Sequence, residues 1–87
     1  MSAIDVHPRI AQRHPEVTPE DVIEAMRGMV RYQQRPSGEW AAVGFDGKGR
    51  LVELVYVYNE ELDSFLVYHA FTPPTGKMMK ELGLERR

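Results

Sequence analysis

Glu39-Trp40-Ala41-Ala42-Val43-Gly44-Phe45 and Arg50-Leu51-Val52-Glu53-Leu54-Val55-Tyr56-Val57-Tyr58 are two runs rich in Val, Tyr and Trp. Between them lies Asp46-Gly47-Lys48-Gly49, whose glycines supply the positive φ angles that a hairpin turn needs. A third run, Ser64 to Phe71, follows Asn59-Glu60-Glu61-Leu62-Asp63, a segment polar enough to be a second hairpin loop. Three strands joined by two short loops form an antiparallel meander. Upstream, Arg31 to Gln34 reads as an edge segment, because Pro36, Ser37 and Gly38 soon interrupt it.

Working outward, Thr18 is placed as a helix N-cap, Pro19 sits where a missing N–H costs nothing, and Asp21 completes a Thr-x-x-Asp capping box. Val17 and Val22 bracket the cap as a hydrophobic staple. Val22, Ile23, Met26, Met29 and Val30 recur at helical spacing, with Glu20, Glu24, Arg27 and Arg31 on the other side. The pattern predicts an amphipathic helix over roughly residues 19–29, with Gly28 weakening its last turn. Before it, Pro8 and Pro15 allow at most a short helical turn around Arg9 to Arg13. After the meander, Thr72-Pro73-Pro74 ends the last strand, Lys77 to Leu82 reads as a short helix with Gly83 as C-cap, and residues 85–87 are expected to fray. The fold class is α+β: an amphipathic helix packed on a three- to four-stranded antiparallel β-meander, with a short C-terminal helix.

With 87 residues, no internal repeat and no linker-like stretch, the chain reads as a single domain, 1–87, with a core at about 16–83. A chain this short buries only about 60–65% of the surface that its unfolded form exposes. Apolar residues make up 43% and charged residues 28%, so a packed core is expected and disorder is not. The absence of cysteine excludes a disulfide framework and a thiolate metal site, which favours a reducing, cytoplasmic setting. No segment approaches the roughly 20 apolar residues that cross a bilayer, and residues 1–15 lack the apolar run of a signal peptide. A net charge of −2 gives no general pull toward nucleic acid, so any such binding must come from local patches.

Pairing Phe45 with Arg50 and Tyr58 with Ser64 sets a register by counting. One face then holds Trp40, Ala42, Leu51, Glu53, Val55, Val57, Phe65, Val67, His69 and Phe71; the other holds Ala41, Val43, Phe45, Val52, Leu54, Tyr56, Tyr58, Leu66, Tyr68 and Ala70. Both faces are apolar, and one helix cannot cover both. Either the N-terminal segment and the tail cover the second side, or a partner or second copy does. In this register Glu53 faces His69, with Cβ atoms about 5 Å apart. A carboxylate beside an imidazole is a candidate general acid–base pair, and Ala42 opposite Glu53 leaves room for a ligand. The same two residues also read as one satisfied polar pair in an apolar sheet.

Ribonuclease chemistry without metal needs a base for the ribose 2′-hydroxyl, cations for the phosphate and an acid for the leaving oxygen. Arg50, Lys77 and Lys80 are the cations nearest the meander, and Trp40, Tyr56 and Tyr68 can stack on bases wherever they are exposed. The same cations also read as solvated surface, and the aromatics as core. His7, His14 and His69 lack metal-ligand spacing, and no glycine-rich phosphate loop, nucleophile elbow or dinucleotide fingerprint occurs, so neither metal nor cofactor is expected.

Three stretches carry a resemblance across roughly residues 13–82: Arg13-His14-Pro15-Glu16-Val17-Thr18-Pro19-Glu20-Asp21-Val22 before the helix, Gly47-Lys48-Gly49-Arg50-Leu51-Val52-Glu53-Leu54-Val55-Tyr56, and Val67-Tyr68-His69-Ala70. Together they resemble the small BrnT-like and RelE-like toxins of bacterial toxin–antitoxin pairs. The resemblance implies a compact ribonuclease that cleaves messenger RNA and is neutralised by a cognate antitoxin. On it, His14, Arg50 and His69 match the family's pattern, with Glu53 added as a neighbour by register. The candidate catalytic residues are therefore His69, Glu53 and His14, and the substrate-binding ones Arg50, Lys77 and Lys80. Such toxins are usually strongly basic, whereas this chain is slightly acidic. The alternative is a non-catalytic interaction module or a homo-oligomer of the same fold.

Overall fold

The computed structural model describes residues 2–85. Along them run β1 (Ala3–Val6), α1 (Arg9–Arg13), α2 (Pro19–Arg27), β2 (Met29–Gln34), β3 (Trp40–Phe45), β4 (Leu51–Asn59), β5 (Ser64–Phe71) and α3 (Gly76–Glu81). The strands form one sheet in the order β1-β5-β4-β3-β2. β2 to β5 are the antiparallel meander, and the segment at 31–34 is its edge strand. The sheet nevertheless has five strands and is mixed, because β1 lies parallel to β5 with Ala3 opposite Ser64 and Val6 opposite Val67. A four-residue strand whose partner lies 61 positions along the chain has no local signature.

α2 begins as its sequence dictates. The Thr18 hydroxyl accepts from the Asp21 N–H at 3.2 Å, and the Asp21 carboxylate accepts from the Thr18 N–H at 2.9 Å. Both staple valines are fully buried. The helix stops at Arg27, short of 29, because the Gly28 carbonyl already accepts the Phe45 N–H (3.0 Å) and starts the pairing of β2 with β3.

Two hairpins share one device. Gly38 donates to the Arg35 carbonyl while Arg35 donates to that of Glu39, and Gly49 donates to the Asp46 carbonyl while Asp46 donates to that of Arg50. Both glycines sit at positive φ, 98° and 77°. Closing the second hairpin with Asp46 opposite Arg50 pairs Phe45 with Leu51, one step from the Phe45–Arg50 register, so β3 is turned over relative to β4. Ala42 therefore faces Leu54, and Val43 faces Glu53. Similarly, Tyr58 pairs with Phe65, not Ser64.

β5 carries a bulge. Tyr56 pairs with Val67 and Val55 with His69, leaving Tyr68 as the extra residue. Val67 and Ala70 consequently join one core with Ile10, Val17, Val22, Ala25, Met26, Ala42, Val52, Leu54 and Tyr56, under α1 and α2. This core reaches ahead of residue 16, to Ile10. The opposite face is covered by the tail: Ala41, Val43 and Val55 pack with Met78 and Leu82, flanked by Tyr68, Met79 and Leu84. Residues 86–87 of the predicted fray lie outside the described part.

Candidate functional site

The bulge places two consecutive residues, Tyr68 and His69, on the α3 side of the sheet. Glu53 is on the same side, directly opposite Phe71 and diagonal to His69. The pair thus meets through a register different from the one counted from sequence: His69 Nε2 lies 2.7 Å from Glu53 Oε2. The other carboxylate oxygen accepts from the Thr75 N–H at 2.7 Å and the Thr75 hydroxyl at 2.9 Å. Thr75 is also the N-cap of α3, its hydroxyl accepting from the Met78 N–H. One threonine therefore starts the helix and fixes the carboxylate.

Glu53 is only 5% exposed. Burial pushes its carboxyl up, but the hydrogen bonds from His69 and Thr75 outweigh this and hold it below the usual carboxylate range. An ionised carboxylate only accepts, so His69 Nε2 carries the proton of this bond and Nδ1 is left as the lone-pair nitrogen of the neutral ring.

A second polar chain faces the first. The Tyr68 hydroxyl donates to Glu39, Arg35 donates to Glu39 at 3.0 Å, and the Arg35 fork grips Glu81 at 2.7 and 2.9 Å. The hydrogen bond from Arg35 is the main reason the Glu81 carboxyl sits below its ordinary range. Between the two chains lies a cleft of about 320 Å³, floored by Val55 and Met78. Arg9 and Lys77 also line it, and neither forms an ion pair among the described residues. The Arg9 guanidinium sits 6.0 Å from the centre of the Tyr68 ring.

His14 comes to the same region from α1, which packs beside β5. Its N–H closes the helix on the Ile10 carbonyl, and its ring lies 4.7 Å from Phe71 and 6.3 Å from His69, edge to face. His14 flanks the cleft without lining it.

Of the six residues singled out from sequence, four converge: Glu53, His69, His14 and Lys77. Lys80 is on the exposed side of α3, away from the cleft lining. Arg50 is elsewhere and fully engaged, donating to Asp46 at 2.8 Å, to Asp21 at 3.0 Å and to the Glu16 carbonyl at 3.1 Å. It ties the β3–β4 hairpin to the start of α2. Burial raises the carboxyls of Asp21 and Asp46, yet their hydrogen bonds bring both below the ordinary value. Ala42 is in the core on the far face, so the room beside the dyad comes from the gap between α1 and α3. Tyr56 is buried and unavailable for stacking, whereas Tyr68 lines the cleft. Sequence reasoning missed Thr75, Arg9, Arg35, Glu39 and Glu81. Only Thr75 carried a readable signal, as a threonine just before a short helix. Among the described residues no cluster of three His, Asp or Glu side chains is placed to hold a metal ion, and no helix is long and apolar enough to cross a membrane. Comparisons with protein-family models, curated proteins and solved structures find no match.

Proposed function

We propose that the cleft is a metal-independent ribonuclease site and that the chain is a BrnT-like or RelE-like toxin, held in check by a cognate antitoxin. The observation that carries this reading is the 2.7 Å bond between His69 and the buried, Thr75-anchored Glu53, in a cleft whose other functional groups include two cations, Arg9 and Lys77, that form no ion pair among the described residues. Glu53 holds the His69 tautomer, so Nδ1 takes the proton of a ribose 2′-hydroxyl as the oxygen attacks the adjacent phosphorus. The bond to the 5′-oxygen breaks, and a proton from His14 goes to that leaving oxygen. A 2′,3′-cyclic phosphate and a 5′-hydroxyl result, so no water or metal enters the balance. Arg9 and Lys77 neutralise the charge that builds on the phosphoryl oxygens. The resemblance to ribonuclease toxins adds support from residues 13–82, now without Arg50 as a phosphate ligand.

The test is cleavage of single-stranded RNA by the purified chain in excess chelator, with the product ends identified by mass spectrometry. His69→Ala should slow cleavage about 10²–10⁴-fold, and a 2′-deoxy nucleotide at the cut should abolish it. Glu53→Gln, a positioning change, should shift the pH profile as well as lower the rate. An uncut RNA pool, or a His69→Ala variant as fast as the parent, would refute the assignment. In cells, induction should arrest growth, and co-expression of the antitoxin should restore it.

A second reading, a binding module, is favoured by the exposure of Val57, Leu62 and Leu66 toward the β4–β5 hairpin. It predicts a folded chain without nuclease activity or toxicity.

A further inference from the structure

β2 is an open sheet edge, and its backbone pattern specifies what can add to it. The Arg35 N–H bonds to the Glu39 carbonyl, so in the alternating ladder of β2 and β3 the groups of Arg35, Gln33 and Arg31 point inward. Those of Tyr32 and Gln34 point outward. No proline or lysine lies in the strand, and its one irregularity is the bulge at Val30, between Met29 opposite Gly44 and Arg31 opposite Val43; Val30 and Tyr32 are 54% and 61% exposed. Tyr32 also ends a row of aromatic rings across the sheet, 5.9 Å from Trp40, which stacks on Tyr56 at 6.3 Å, which meets Phe65 at 5.6 Å.

We propose that the occupant of this edge is the β2 strand of a second copy, added antiparallel about a two-fold axis at Tyr32. Two outward-facing residues must meet for the ladder to close, and with Tyr32 and Gln34 as those residues this leaves registers centred on Tyr32, Gln33 or Gln34. Centring on Gln34 sets Tyr32 against Pro36, which has no N–H to give, and centring on Gln33 sets Arg31 against Arg35. Like charges directly opposite are destabilising. Centring on Tyr32 pairs Arg31 with Gln33 and Tyr32 with Tyr32 and brings Gln34 beside the bulged Val30, so no like charges face each other. The two Tyr32 residues exchange both backbone hydrogen bonds, and the two aromatic rows join into one across a ten-stranded sheet. The other edge, β1, has only four residues and is a poorer template.

The test is sedimentation equilibrium of the full chain from micromolar to near-millimolar concentration. The mass should rise to twice that of the 10.0 kDa chain. Tyr32→Lys and Tyr32→Glu should each be monomeric where the parent is dimeric, with unchanged circular dichroism, since the side chain is mostly outside the core. Mixing the two variants should restore a dimer, a rescue that follows only if residue 32 faces its own copy. A parent that stays monomeric, a Tyr32→Lys variant that dimerises like the parent, or a mixture that stays monomeric would overturn the proposal. A parent monomer that takes up a strand from another protein would overturn it as well.

Discussion

Removing the Glu53 carboxylate should loosen α3 and the cleft together. In Glu53→Ala three hydrogen bonds disappear: one from His69 at 2.7 Å and two from Thr75 at 2.7 and 2.9 Å. Bonds to a charged acceptor contribute about 1.5–3 kcal/mol each. Thr75 is exposed and His69 half-exposed, so water replaces part of what is lost, and about 2–3 kcal/mol is expected. For a domain of this size that corresponds to a fall in Tm of about 8–24 °C. Glu53→Gln keeps an acceptor for Thr75 and should cost less, about 1 kcal/mol. The two variants differ further in pH dependence. Since the folded carboxyl lies below its ordinary value, its ionised form stabilises the fold, fully above about pH 5 and progressively less as pH falls through the carboxylate range. The stability gap between parent and Glu53→Gln should therefore be widest near neutrality and shrink on acidification. Urea denaturation at a series of pH values measures it. A gap that stays constant from neutral to acidic pH, or a Glu53→Ala cost below about 0.5 kcal/mol, would refute the view that this carboxylate is ionised and load-sharing in the fold.

Three further predictions follow from the packing. Gly44→Ala would place a Cβ 2.0 Å from the Ala25 carbonyl oxygen, so α2 must lift from β3; a loss of about 1–3 kcal/mol should appear in denaturant midpoints. Arg50→Met should lower the denaturant midpoint, because Asp46 and Asp21 are buried and lose a cation, yet leave the RNA cleavage rate of the folded protein unchanged. An unaltered stability with lost cleavage would return Arg50 to the site. Thr18→Ala removes the acceptor for the Asp21 N–H and should cost about 1 kcal/mol, read from thermal unfolding by circular dichroism.

The parts legible in sequence are those made by neighbours along the chain. Thr18, Pro19 and Asp21 specify the start of α2 within four residues, and the Pro and Gly residues mark the hairpins. The Glu53–His69 contact was reached by counting, but through a register that the structure does not adopt. It survives because the true partners, Glu53 with Phe71 and Val55 with His69, differ by two positions, which preserves the face. Ala42 had no such protection, since a shift of one between β3 and β4 moves it to the other side. Arg50 looked like a free cation because two of its three partners, Asp21 and Glu16, are distant in sequence, and the third, Asp46, meets it only once the hairpin closes.

Local chemistry by itself determined the capped start of α2, the strand runs and the turns, since each depends on interactions spanning a few residues. Tertiary structure alone decided the parallel docking of β1, the cover that α3 gives to the second sheet face, and the bulge that aims Tyr68 and His69 into one cleft. These depend on which distant groups close each other's hydrogen bonds and bury each other's surface, and adding or removing one residue from a strand pairing exchanges its inside for its outside.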